Sequence, residues 1–143
     1  MFTDVKQTRR SVGILCLLLW AIALALPTAY TQSDDDFPGF LILIMGPFGP
    51  FILQPGWYAN PVFVFCAGWM AFGGRVWRWM GVLLGVLALW SFTWDQIVMD
   101  SGNIPITKFG PGFYLWELAM LGFAVYVLIE PSLRFSRNPP PQP

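Results

Sequence analysis

Residues 40–61 read "FLILIMGPFGPFILQPGWYANP", and the hexapeptide "GPFGPF" at 46–51 breaks an otherwise apolar run. Such a run is expected to be buried, but two prolines within four residues prevent a regular helix or an inner strand. At membrane depth, broken backbone is tolerated where protein or a water-filled cavity covers it. We therefore predict a re-entrant or interfacial segment over residues 38–55, which either dips into the bilayer or lies on it. The break itself is assigned to Gly46, Pro47, Gly49 and Pro50.

The composition of the whole chain agrees with a lipid environment. Of the 143 residues, 56% are hydrophobic and only 11% are charged, against about 25% charged in soluble domains. The formal net charge is zero, and no basic patch is dense enough to follow a phosphate backbone. The sequence therefore predicts an integral membrane protein whose surroundings are the lipid bilayer, and it excludes nucleic acid as a partner.

Few side chains in this sequence can carry out chemistry. There is no histidine, which excludes an imidazole base, a histidine-ligated haem and a zinc site of the usual nitrogen and sulfur type. Cys16 and Cys66 both lie in apolar runs and are interpreted as small buried hydrophobic residues. We therefore predict no catalytic residue, no cofactor and no metal site.

Four apolar segments are predicted to span the membrane and to form an all-α, four-helix domain over residues 1–133. The first segment follows Lys6, Arg9 and Arg10 and has the look of a signal peptide, but we interpret it as a retained helix. The proline-rich end, residues 134–143, is predicted to be a disordered cytoplasmic tail. The predicted spans are residues 12–30, 58–74, 76–94 and 112–129.

Positive charge predicts the orientation of these spans. Seven of the eight Lys and Arg residues fall in three groups, at residues 6–10, 75–78 and 134–137. With four spans, the preference of Lys and Arg for the cytoplasmic side places all three groups and both termini in the cytoplasm. The compact design with short loops fits a bacterial cytoplasmic membrane.

Small residues and one carboxylate mark candidate sites within the spans. Gly81, Gly85 and Ala88 form a small-residue face in the third span, of the kind that lets membrane helices pack closely, either within the chain or against a second copy. Glu117 is the only carboxylate inside a predicted span, and ionisable groups there are functional candidates by default.

The carboxylates on the outer side allow two interpretations. Glu117 could join Asp95 and Asp100 in an acidic mouth that contacts a proton or a hard cation. Alternatively, Glu117 accepts hydrogen bonds from Lys108, a Trp indole or the backbone of the broken segment, and so has a structural role.

Three classes of function follow. Short loops and the missing catalytic groups favour a non-enzymatic accessory or assembly subunit, which packs with itself or with a larger membrane complex. The alternative is a channel or transporter subunit that uses the broken outer segment and Glu117, since interrupted membrane segments often line substrate paths. A lipid-modifying enzyme that uses outer-leaflet carboxylates is the third.

Overall fold

A computed structural model describes the backbone of residues 2–32, 36–47, 54–97 and 102–137, with side chains between residues 5 and 130 of those ranges. The described chain is mostly helical. Its α-helices are α1 (Phe2–Ala25), α2 (Gly39–Met45), α3 (Ala59–Ala71), α4 (Arg78–Ser91) and α5 (Pro111–Arg137).

Two of these helices are long and apolar enough to cross a membrane, namely Val5–Ala25 within α1 and Pro111–Glu130 within α5. The other two predicted spans coincide with α3 and α4, which have 13 and 14 residues. At 1.5 Å per residue these helices are about 20 Å long, short of a hydrocarbon core of about 30 Å. The four-span architecture predicted from hydropathy is therefore not confirmed, because two of its helices are long enough to cross a membrane and the other two are short.

The helix ends differ from the predicted spans. Helix α1 ends at Ala25, because Pro27 has no N–H to continue the helix and the chain enters a strand instead. Helix α5 runs on to Arg137, past the predicted end at residue 129 and into the predicted tail; residues 138–143 lie outside the described chain.

A small antiparallel sheet at one end of the bundle was not predicted. Its strands are β1 (Pro27–Thr31), β2 (Asp36–Pro38), β3 (Gln96–Ile97) and β4 (Ile104–Phe109), in the order β2-β1-β4-β3. Strand β1 pairs with β4 across some eighty residues of chain, for example Ala29 with Phe109. The all-α prediction is thus corrected: the connections after α1 and α4 satisfy their backbone groups by pairing with each other.

The broken segment also has a defined start and end. Helix α2 stops at Met45, and residues 48–53 lie outside the described chain. After Gln54, a 3-10 turn, Pro55–Tyr58, runs directly into α3. Gly46 and Pro47 lie in the described chain, whereas the predicted break residues Gly49 and Pro50 lie outside it.

Helices α1, α3, α4 and α5 form the bundle, with α1 against α3 and α5, and α4 against α5 and α3. The close approach of these helices to one another depends on small residues. A methyl group at Gly13 would lie 2.7 Å from the Ala67 carbonyl oxygen, and one at Gly81 would lie 3.0 Å from Val127 Cγ1. At Gly13 the backbone of α3 leaves no room for a side chain, and at Gly81 a methyl group would require Val127 to shift, so the helices approach closely at both positions.

The predicted small-residue face of α4 lies against α5 of the same chain. Beside Gly81, a methyl group at Gly85 would lie 3.9 Å from Ala124 Cβ, and Ala88 is fully buried. This face is therefore used within the chain.

Several positive side chains gather at one end of the bundle, and a single lysine is described at the other. At one end, the α3–α4 turn at Gly73 lies beside Lys6 and Arg10, and Arg9 pairs with Glu130. The opposite end holds the sheet, where Lys108 Nζ lies 4.6 Å from the ring centroid of Tyr30.

Candidate functional site

A cavity opens at the sheet end of the bundle, between α2, the 3-10 turn, α4 and the start of α5. It encloses about 50 Å³, enough for a few water-sized groups. Its polar lining residues are Gln54, Asn60, Ser91 and Glu117. Four aromatic residues, Trp57, Trp94, Phe113 and Trp116, also line it.

Glu117 projects from the second turn of α5 and is only 4% exposed. The Ser91 hydroxyl donates to its Oε1 at 2.5 Å, but also lies 2.6 Å from the Ala88 carbonyl oxygen. A hydroxyl has one proton, so Ser91 can serve only one of these two acceptors at a time. The other carboxyl oxygen, Oε2, is buried and has no hydrogen-bond partner in the described chain.

The Glu117 carboxyl group has fewer hydrogen-bond donors than a buried carboxylate needs. Among the described residues that line the cavity there is no Lys or Arg. Removing a carboxylate from water without a positive partner costs several kcal/mol. Glu117 therefore requires either a proton or a cationic ligand.

Asn60 forms the second polar centre and joins three helices. Its Oδ1 accepts hydrogen bonds from the indole N–H groups of Trp20 (2.9 Å) and Trp116 (2.7 Å), and its Nδ2 donates to the Trp57 carbonyl oxygen at 2.9 Å. Trp20 lies on α1, Asn60 on α3 and Trp116 on α5. Sequence reasoning missed this role; the signal that could have found it is a lone side-chain amide beside Pro61 within the predicted span 58–74.

The aromatic wall of the cavity is held by packing. The rings of Phe109 and Phe113 stack with centroids 3.9 Å apart, and Phe92 meets Phe113 edge to face at 5.1 Å. On the other side, the Trp57 indole N–H donates to the Leu43 carbonyl oxygen at 3.0 Å. These contacts fix the position of both walls.

Gly46 permits the seating of the Trp57 indole, because any side chain at residue 46 would overlap that ring. Of the two predicted break residues that the structure describes, Gly46 lines the cavity, and Pro47 follows it in the chain. The structure thus brings one end of the broken segment to the same cavity as Glu117.

The predicted acidic mouth is only partly described. Asp95 is exposed at the start of the β3–β4 hairpin and does not line the cavity with Glu117, while Asp100 lies outside the described residues. Lys108, considered as a partner of Glu117, sits over Tyr30 instead. Within the described residues, no three Asp, Glu or Cys side chains are grouped to hold a metal ion.

A buried ion pair at the opposite end was also missed. Arg9 Nε and Nη2 donate to Glu130 Oε1 at 2.8 and 2.7 Å, and both side chains are largely buried. Arg9 had been interpreted only as a topogenic charge. Glu130 falls one residue beyond the predicted fourth span, where hydropathy gives no indication of a partner 121 residues away.

No protein-family model, curated protein or solved structure matches this chain. Its function is therefore inferred from composition, burial and the geometry of the cavity.

Proposed function

We propose that this chain is a four-span integral membrane protein that serves as a non-enzymatic accessory or assembly subunit. The observation that carries the proposal is the apolar outer surface, which is present on the two short helices as well as on the two long ones. Exposed apolar side chains include Leu15, Leu18 and Ile22 on α1, Phe65 and Trp69 on α3, Val82, Val86 and Leu89 on α4, and Leu118, Val125 and Ile129 on α5. An outer surface of this kind favours contact with lipid over contact with water.

The short helices reach further into the bilayer than their lengths indicate. The 3-10 turn before α3 adds four residues, so the continuous helical segment Pro55–Ala71 is roughly 28 Å long. Bilayers also thin locally around shorter spans at modest cost. Trp77 and Trp79, both exposed at the start of α4, suit the membrane interface.

The packing of the bundle favours a subunit over a transport path. Phe63, Met70, Leu84 and Phe123 fill its centre and are almost fully buried. These side chains leave the centre of a single copy packed, so a route through the membrane would need further copies.

The orientation follows from the two ends of the bundle. We place the end with Lys6, Arg10 and Arg75 in the cytoplasm of a bacterial cell, together with both termini, and the sheet on the opposite side. The participation of α1 in contacts with α3 and α5 supports its retention as a spanning helix.

Cysteine labelling in intact cells tests this orientation. After replacement of the buried Cys16 and Cys66 by Ala, a cysteine at the exposed residue Asn103 is expected to react with a membrane-impermeant maleimide. A cysteine at the exposed residue Gln7 should react only after the cells are opened. Labelling of Gln7→Cys from outside, or protection of Asn103→Cys, would contradict the four-span topology.

Purification of the full chain in mild detergent tests the subunit role. Native mass spectrometry should find it bound to a larger membrane protein or to further copies of itself in a fixed ratio. A monomer that conducts ions in liposomes would instead support the channel alternative. A monomer that converts lipids would support the enzyme.

A further inference from the structure

We propose that the cavity at the sheet end binds a primary ammonium group, with Glu117 as its counter-charge. This inference uses only the cavity geometry and does not depend on whether the chain is a subunit of a complex. It assigns a ligand class to the residues that line the cavity, for which the accessory role gives no function.

Glu117 supplies the acceptor that such a ligand needs. Its Oε2 is buried, has no hydrogen-bond partner in the described chain and belongs to a residue that lines the cavity. A primary ammonium carries three N–H donors and a positive charge, so it meets both needs of the carboxylate at once. Hydrogen bonds between charged groups are about twice as strong as neutral ones.

The remaining lining residues fit an ammonium better than a metal ion. Ca²⁺ takes six to eight oxygen ligands, and Mg²⁺ takes six. Here one carboxylate is present, and Asn60 Oδ1 already accepts two indole N–H groups. Aromatic residues, by contrast, line the cavity on several sides, and aromatic rings attract ammonium groups.

The size of the cavity limits the ligand. A volume of about 50 Å³ admits an aminomethyl or aminoethyl head but not a large amine. Gln54, Trp57 and Trp94 line the cavity and keep part of their exposure, so the head can enter from the sheet end. The same chemistry is offered by a free alkylamine and by the headgroup of an ethanolamine lipid.

Tryptophan fluorescence of the purified full-length protein provides the test, because three of the lining residues are tryptophans. Ethylammonium chloride is titrated at constant ionic strength against tetramethylammonium chloride, which has no N–H to donate. In a second arm, the protein is placed in nanodiscs of phosphatidylethanolamine or of phosphatidylcholine. A saturable change with ethylammonium indicates a free amine, and a difference between the two lipids alone indicates a headgroup.

Three variants connect that response to the cavity. Glu117→Gln keeps the size of the side chain but removes its charge, and should weaken ammonium binding about tenfold to a hundredfold. Asp95→Asn removes an exposed carboxylate outside the cavity and should leave binding unchanged. Ser91→Ala removes the hydroxyl that donates to Glu117 Oε1 and stabilises the charged carboxylate, so it should weaken ammonium binding, but by less than Glu117→Gln.

The outcomes are decisive in both directions. Equal ammonium responses in the wild type and Glu117→Gln would overturn the assignment, as would no response of the wild type to either source. If Glu117→Gln fails to fold, the comparison of ethylammonium with tetramethylammonium in the wild type still tests the proposal, because only ethylammonium can donate an N–H to Glu117. Equal responses to ethylammonium and tetramethylammonium would also overturn it.

Discussion

Replacement of Asn60 by Leu should destabilise the bundle, because it removes the acceptor shared by two indole groups. Leu is close to Asn in size, so the main change is the loss of three hydrogen bonds. Trp116 is 5% exposed, and its N–H would be left buried without a partner. Trp20 is only partly buried, so water or detergent can replace part of its lost bond.

The magnitude follows from these two donors. An unpaired buried donor costs about 1–3 kcal/mol, whereas hydrogen bonds between membrane helices average about 0.6 kcal/mol and reach about 1.7. Taking the upper part of the membrane range for Trp116 and the average for Trp20, we expect Asn60→Leu to lower the free energy of unfolding by about 2 kcal/mol. Equilibrium unfolding in mixed micelles, followed by circular dichroism, measures this difference.

A double-mutant cycle with Trp116→Phe isolates the hydrogen bond. Once the indole N–H is absent, the cost of Asn60→Leu should fall by about 1 kcal/mol or more, because residues in contact do not act additively. Asn103→Leu, at an exposed asparagine, serves as the control and should change stability by less than about 0.5 kcal/mol. Additivity within about 0.5 kcal/mol would refute the role given to Asn60.

Two further changes test other contacts. Gly46→Ala should displace the Trp57 indole, which shifts the tryptophan emission to longer wavelength and lowers the free energy of unfolding by about 1–3 kcal/mol. Gly68→Ala is the control, because a methyl group there meets no atom within 4 Å and should change neither quantity. Unchanged emission in Gly46→Ala would contradict the close contact. Glu130→Gln should cost about 3 kcal/mol by leaving Arg9 buried without the carboxylate that it pairs with. Replacing both residues by Leu should cost less, and a double variant less stable than Glu130→Gln would contradict the cost assigned to the unpaired buried charge.

Hydropathy alone located the four helices of the bundle, but not the short helix α2. The described helices α3 and α4 lie inside the predicted spans 58–74 and 76–94, and α1 and α5 overlap the other two. The break in the segment after α1 was also visible, since proline and glycine act on the chain locally. These features depend on neighbouring residues, which is why composition and spacing predict them.

The candidate site depended on which helix faces meet, and that is a property of the tertiary structure. Glu117 could be identified as an ionisable group within a span, but its contact with Ser91 requires α4 and α5 to lie side by side. In the same way, Asn60 acquires two indole donors only because α1 and α5 flank α3. No local sequence pattern predicts a hydrogen-bond partner on another helix.

The sheet shows the same limit for the backbone. Strand β1 pairs with the distant strand β4 as well as with its sequence neighbour β2, because α1 and α5 bring Pro27–Thr31 and Ile104–Phe109 together at one end of the bundle. The sequence by itself determined that this chain is apolar, helical and broken after its first helix. Only the packing of the helices decided which strand pairs with β1 across the bundle and which groups bond the buried polar side chains, since those partners are far apart in the chain and close only in space.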